Sequence, residues 1–113
     1  MSDKEIELEI QARGLTAARV TPQDIENAIS SEHYFTAAQA VTLTSGAPSP
    51  EPLYLLTFCV LVLRNGFTVT GESACVSREN FDPEVGRKVA RENAKNKMWP
   101  LLGYALRDRV SNS

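Results

Sequence analysis

Apolar and polar positions alternate most clearly over residues 53–82, LYLLTFCVLVLRNGFTVTGESACVSRENFD. Two strand-like runs flank Asn65-Gly66, a dipeptide suited to a two-residue type I′ turn because both central residues there need positive φ. The spacing predicts a tight hairpin in which Arg64 faces Phe67, Val62 faces Val69 and Phe58 faces Ser73. In that register Leu56, Phe58, Val60 and Val62 share a core-like face with Val69 and Gly71. Thr57, Cys59, Leu61 and Leu63 share the other face with Thr68, Thr70, Glu72 and Ala74. This mixed face suits partial burial against another subunit or a third strand. Cys59 and Cys75 fall on opposite faces, which predicts free thiols.

Asp82-Pro83-Glu84 opens a helix. The aspartate caps, the proline presets the first φ, and the glutamate suits the positive helix end. The helix is expected to run to residue 97 or 98. Pro100 then kinks or restarts it, and residues 101–110 follow as a second segment. Upstream, Thr21-Pro22 starts a shorter helix over residues 22–31, with Ile25, Ala28 and Ile29 on one face. Residues 33–44 read as a strand over much of their length. Residues 45–52, SGAPSPEP, read as an extended loop with no strand or helix of their own. In residues 2–13, Ile6, Leu8 and Ile10 alternate like a strand while the glutamates between them suit a helix, so both readings stand. The fold class expected is α+β: an antiparallel sheet built on a central β-hairpin with C-terminal helices packed against it. A single domain over 1–113 is expected, with loosely ordered termini.

The formal net charge of −2 argues against a broad DNA-binding surface. The apolar run 58–63 is too short to cross a bilayer. The charged opening MSDKEIELEI lacks the pattern of a signal peptide, and the expected compartment is the cytoplasm.

On a helical wheel over residues 83–98, Gly86, Val89, Ala90 and Ala94 form the inward stripe. Arg87, Lys88, Arg91, Glu92 and Lys95 lie outward, as a solvated face. Asn93 and Lys97 fall within the inward stripe. A buried lysine needs a carboxylate, carbonyls or an anionic ligand, with Asp82 and Glu72 the nearest carboxylates. Two readings stand: an internal polar network, or a ligand pocket lined by Asn93, Lys97 and the loop 77–82. The carboxylates at the start of the helix oppose an anion there. Asp82 suits ribose hydroxyls and Asn80 a base edge. The lone His33, beside Tyr34 and Phe35, reads as packing or surface. No zinc spacing, P-loop, dinucleotide fingerprint or nucleophile elbow is present, and no cofactor is implied.

Residues 64–104 carry three motifs in order: N-G-x-x-x-x-G-x-S from Asn65, E-N-F-D from Glu79, and K-x-W-P-L-x-G-Y from Lys97. This stretch resembles a family of small tailed-phage proteins that includes the first class of Thoeris anti-defence proteins. Leu102 stands where that pattern carries glutamate. The resemblance implies a sponge: a protein that binds cyclic ADP-ribose isomers made by bacterial immune enzymes and holds them without cleaving them. It also implies a homo-oligomer, dimer or hexamer, with ligand at a subunit boundary. Some members of the family hold cyclic oligonucleotides at separate sites.

The leading expectation is therefore a non-enzymatic phage protein that sequesters a cyclic nucleotide signal in the infected host's cytoplasm. Its expected ligand-binding residues are Arg64, Phe67, Asn80, Asp82, Asn93 and Lys97. Arg64 would meet a base or pyrophosphate, Phe67 would stack, and Lys97 would neutralise phosphate. The alternative is a protein that disables a host protein by direct contact. An enzyme acting on the same nucleotide is the weakest reading, since no base is paired with a nucleophile.

Overall fold

The computed structural model describes residues 2–15 and 17–113. Three strands form one antiparallel sheet in the order β1-β2-β3, with β1 at Ile29–Thr36, β2 at Leu56–Leu63 and β3 at Thr68–Ala74. Among the described residues five α-helices accompany it: α1 Asp3–Ala12, α2 Pro22–Ala28, α3 Ala37–Ser45, α4 Pro83–Asn96 and α5 Met98–Ser111. The fold is the expected α+β. The chain divides into two compact units, residues 29–97 around the sheet and residues 1–28 with 98–113.

In the sheet unit, α4 covers one face. Gly86, Ala90 and Ala94 are its buried residues. Val89, expected inward, is 43 % exposed, so the buried stripe is narrower than the wheel implied and is made of small residues. They meet Gly71 of β3: a methyl built there would lie 2.2 Å from the Ala90 carbonyl oxygen and 2.3 Å from the Ala94 amide nitrogen. The helix backbone therefore rests directly on the strand backbone.

The hairpin differs from its expected form. Gly66 has φ +89°, but no described non-glycine residue has positive φ, Asn65 included. The Leu63 N–H donates to Phe67 O (2.8 Å) and the Gly66 N–H to Leu63 O (2.9 Å). Arg64, Asn65 and Gly66 thus form a three-residue loop rather than a type I′ turn, with the glycine alone left-handed. Asn65 serves through its side chain, whose Oδ1 accepts from the Phe67 N–H at 3.0 Å. The extra loop residue moves the register by one: Val62 faces Thr68, Cys59 faces Gly71 and Phe58 faces Glu72.

A one-residue slip carries the β3 side chains to the other face relative to β2, so Ser73, Gly71 and Val69 lie beside Thr57, Cys59 and Leu61. The mixed set Thr57, Cys59, Leu61 and Leu63 is the buried one, and Leu56, Phe58, Val60 and Val62 are half-buried on the side away from α4. Cys59 and Cys75 are free. Their separation follows from distance along the strands, not from opposite faces: the Cys75 N–H bonds Leu55 O, four positions from Cys59.

The other boundaries follow local caps. The expected strand over 33–44 is split, because β1 ends at Thr36 and α3 begins there. Thr36 and Gln39 exchange side-chain and backbone bonds in a capping box, and Gly46 (φ 73°) ends the helix. The loop 45–52 gives way at Glu51–Leu55 to a short 3-10 turn that was not expected. Asp82 caps α4 through Oδ1, which accepts from the Glu84 and Val85 N–H groups.

In the helical unit, Ser2 caps α1 by accepting from the Glu5 N–H at 3.2 Å, which settles the segment as helix over Asp3–Ala12. Thr21 and Asp24 cap α2 reciprocally, and that helix stops at Ala28, short of the expected residue 31. α5 restarts at Met98, placing Pro100 in its first turn, where its missing N–H costs nothing. No helix among the described residues is long and apolar enough to cross a membrane.

Gly66→Ala should lower stability by about 1–2 kcal/mol, the cost of a side chain in the left-handed region. Asn65→Ala loses one hydrogen bond and should cost less, about 0.5–1.5 kcal/mol. Urea midpoints of the two variants measure the difference; equal large losses would restore the two-residue turn.

Candidate functional site

The sheet unit contains a cleft of about 310 Å³ where α4 begins. Its walls come from four elements and one loop residue: Tyr34, Phe35 and Thr36 at the end of β1, Gln39 in α3, Thr57 in β2, Pro83 and Arg87 in α4, and Phe81 just before α4. The caps explain the convergence. Thr36 ends β1 and starts α3 at one wall, while Asp82 starts α4 at the other.

Tyr34 donates its hydroxyl to Glu32 Oε1 at 3.1 Å. Burial, followed by the neighbouring Cys59 and Glu32, pushes its pKa up to about 12, so it stays a neutral donor. Burial likewise raises the Cys59 thiol. Glu32 also accepts from Arg91 Nε at 2.9 Å, which ties β1 to α4 and holds the Glu32 carboxyl below its ordinary range. Among the described residues no carboxylate lines the cleft itself. Its single charge is the Arg87 guanidinium, which has no ion-pair partner among the described residues.

Thr57 forms the floor. It is 3 % exposed, and among the described residues its Oγ1 is the buried side-chain polar atom left without a hydrogen bond. An unpaired buried hydroxyl costs about 1–3 kcal/mol. Gly86 passes directly over it: a methyl built there would sit 3.0 Å from Thr57 Oγ1 and 3.6 Å from the Phe81 ring. The cleft thus combines two aromatic walls, one cation on the rim and an unmet hydroxyl beneath, which suits an anion that carries a flat group.

A second hollow, of about 240 Å³, lies in the helical unit between Ile6, Ile10, Val20, Pro22 and Trp99. It is mostly apolar. The carboxylate of Glu7 on its wall is already met by a bidentate pair with Arg19.

The six expected ligand residues do not form one cluster within the chain. α4 has fourteen residues and runs antiparallel to β3, so its two ends lie roughly 20 Å apart. Asn80 and Asp82 stand at its N-terminal end, beside the cleft but not lining it. Asn93 and Lys97 stand toward the other end, at the free edge of β3. Asn93 Nδ2 donates to Glu72 O at 2.8 Å, and Lys97 Nζ approaches Thr70 Oγ1 at 3.5 Å. Both are exposed, not buried, and Lys97 pairs with neither Asp82 nor Glu72. Arg64 and Phe67 lie exposed at the hairpin tip, the end toward which α4 runs.

Sequence reasoning missed Tyr34, Phe35, Thr57, Phe81 and Arg87. Arg87 read as part of a solvated face. The available signal was Thr57, a polar residue that continues the alternation of Cys59, Leu61 and Leu63.

Residues 20–110 match the model of one protein family, described as phage protein (N4 Gp49/phage Sf6 gene 66). The chain belongs to that family. The match covers the sheet unit whole, and with it every residue of the cleft. No curated protein and no solved structure matches the chain.

The Glu32–Arg91 pair gives a pH prediction. Arg91 lowers the folded-state pKa of Glu32 below its ordinary value near 4.5. The pair's contribution is present in full above that value. It shrinks as pH falls, because the unfolded chain takes up the proton first, and is gone below the folded-state value. Glu32→Gln should cost less than about 1 kcal/mol at neutral pH, since the carboxylate is partly exposed, and should flatten the loss of stability below about pH 4.5. Acid melting curves that fall in parallel for variant and parent would show that the pair contributes nothing.

Proposed function

We propose that this phage protein sequesters a cyclic nucleotide signal, of the cyclic ADP-ribose class, made by bacterial immune enzymes in the cytoplasm of the infected cell. It holds the molecule without cleaving it. Some related cyclic oligonucleotides are candidates for a separate site. Membership of a phage protein family supports the setting. The cleft carries the reading: aromatic Tyr34 and Phe81 for a base, Arg87 for phosphate, and no lining carboxylate to repel it.

The cleft's size bears on the assembly. About 310 Å³ is at the low end for small-molecule pockets. It encloses part of a dinucleotide-sized ligand, and a second copy of the chain would cover the rest. The sheet face away from α4 is a separate apolar surface open to another chain. There Phe35 and Phe58 stack at 5.4 Å, beside the half-buried Leu56, Val60 and Val62. The hairpin-end residues Arg64, Phe67, Asn93 and Lys97 join the site only if a neighbouring copy brings them to it.

The same open face favours a second reading, in which the protein binds and disables a host protein and has no small-molecule site.

Mass spectrometry of molecules released by heat, after mixing with cyclic ADP-ribose isomers, tests the proposal. Intact recovery is expected. Altered product would mean an enzyme, and an empty protein would favour the host-protein reading. Arg87→Ala should melt like the parent and bind roughly 10- to 150-fold more weakly, as expected for one charge-assisted contact. Full affinity in Arg87→Ala with a comparable loss in Lys97→Ala would move the site to the hairpin end.

A further inference from the structure

We infer that Thr57 determines the specificity of the cleft: its hydroxyl bonds to the ligand after the Phe81 ring swings aside. The inference rests on the cyclic-nucleotide reading and assigns a residue within that same site.

Three observations carry it. The first is the unmet hydroxyl. Thr57 is 3 % exposed and its Oγ1 has no partner among the described residues, although the strand on either side offers the same row two other hydroxyl residues. Thr36 and Ser73 are its cross-strand neighbours. The Thr36 hydroxyl accepts from the Gln39 N–H at 3.2 Å and makes no bond to Thr57. Buried polar groups are normally paired within a fold, so one left open at the floor of a cleft calls for a partner from outside.

The second is the position of the cover. The Phe81 ring, the Thr57 hydroxyl and Gly86 converge on one point. Every other residue lining the cleft belongs to a helix or strand, whereas Phe81 lies between the turn Arg78–Asn80 and the cap of α4. It is the wall least constrained by regular structure, and it is the wall that the inference requires to move.

The third is the glycine. Gly86 sits inside α4, where alanine would favour the helix, yet a methyl there would press on the hydroxyl at 3.0 Å. The space above Thr57 is held open by a residue the helix itself does not favour.

A hydroxyl placed so deep selects among anions that Arg87 alone would accept. A ligand must bring a hydrogen-bonding oxygen or nitrogen to the floor at the same time as phosphate to the rim.

The test uses Thr57→Val, which keeps the shape and removes the hydroxyl, and Thr57→Ser, which keeps the hydroxyl. Apo melting and calorimetric titration with cyclic ADP-ribose are measured on both and on the parent. Thr57→Val is expected to melt at or above the parent's temperature and to bind about tenfold more weakly, while Thr57→Ser keeps affinity within about threefold. A Thr57→Val that melts lower would show that the hydroxyl is satisfied inside the fold, and would overturn the inference. So would a Thr57→Val that binds as tightly as the parent; the cyclic-nucleotide reading would survive that result. A parent that binds no cyclic ADP-ribose would overturn both together.

Discussion

The contact on which the sheet unit depends is backbone against backbone, at Gly71. With no side chain between them, β3 and α4 approach until the space for one methyl is taken by the Ala90 carbonyl and the Ala94 amide. Burial elsewhere in the unit is modest: Cys59, Leu61, Leu63 and Val69 are the covered apolar side chains of the hairpin among the described residues. Such a core gains by close approach rather than by bulk, because dispersion falls off steeply with any gap. The small residues of α4 follow from this. A larger side chain at 90 or 94 would lift the helix from the sheet.

The same contact positions the groups at both ends of α4. Held this close to an edge strand, the helix brings Asn93 to the carbonyl of Glu72, an acceptor that β2 does not use. One turn on, Lys97 reaches round the edge to Thr70. Four residues before Ala90, Gly86 lies over Thr57. The N-terminal end of α4 then closes the cleft with Pro83 and Arg87. Neither end could be rearranged without losing the fit at Gly71.

Local chemistry in this chain was largely legible in sequence, and geometry between elements was not. Asp82-Pro83, Thr21 and Pro100 act through their own neighbours, and each does what its residue type dictates. Thr36-x-x-Gln39 and Ser2-x-x-Glu5 are signals of the same kind: the first ends β1 and starts α3, and the second starts α1. The hairpin's register turned on whether Asn65 would take positive φ or use its side chain. Both are ordinary for asparagine, and one residue of difference carries the β3 side chains to the other face relative to β2. Periodicity correctly turned Asn93 and Lys97 toward the sheet. It could not tell that the strand there is an edge, where a lysine reaches water along its stem. The cleft was invisible for another reason: its residues come from β1, α3, β2 and α4, and no linear motif joins them.

The two ends of the buried sheet face have different characters. Leu61 and Leu63 lie toward the hairpin, whereas Thr36, Thr57 and Ser73 make a polar row at the other end. Helix propensity by itself would place alanine at 86, and a buried row without polar chemistry would place valine at 57. Both residues present are locally unfavourable, one as an unmet hydroxyl and the other as a glycine inside a helix, and they touch each other. Local choices that work against the fold tend to gather where something other than folding is at stake. Here they meet beneath the aromatic walls and the lone cation of one cleft, and neither is explained by the packing at Gly71, which would tolerate valine at 57. The polar end of the sheet is therefore the part of this molecule whose chemistry the fold does not require.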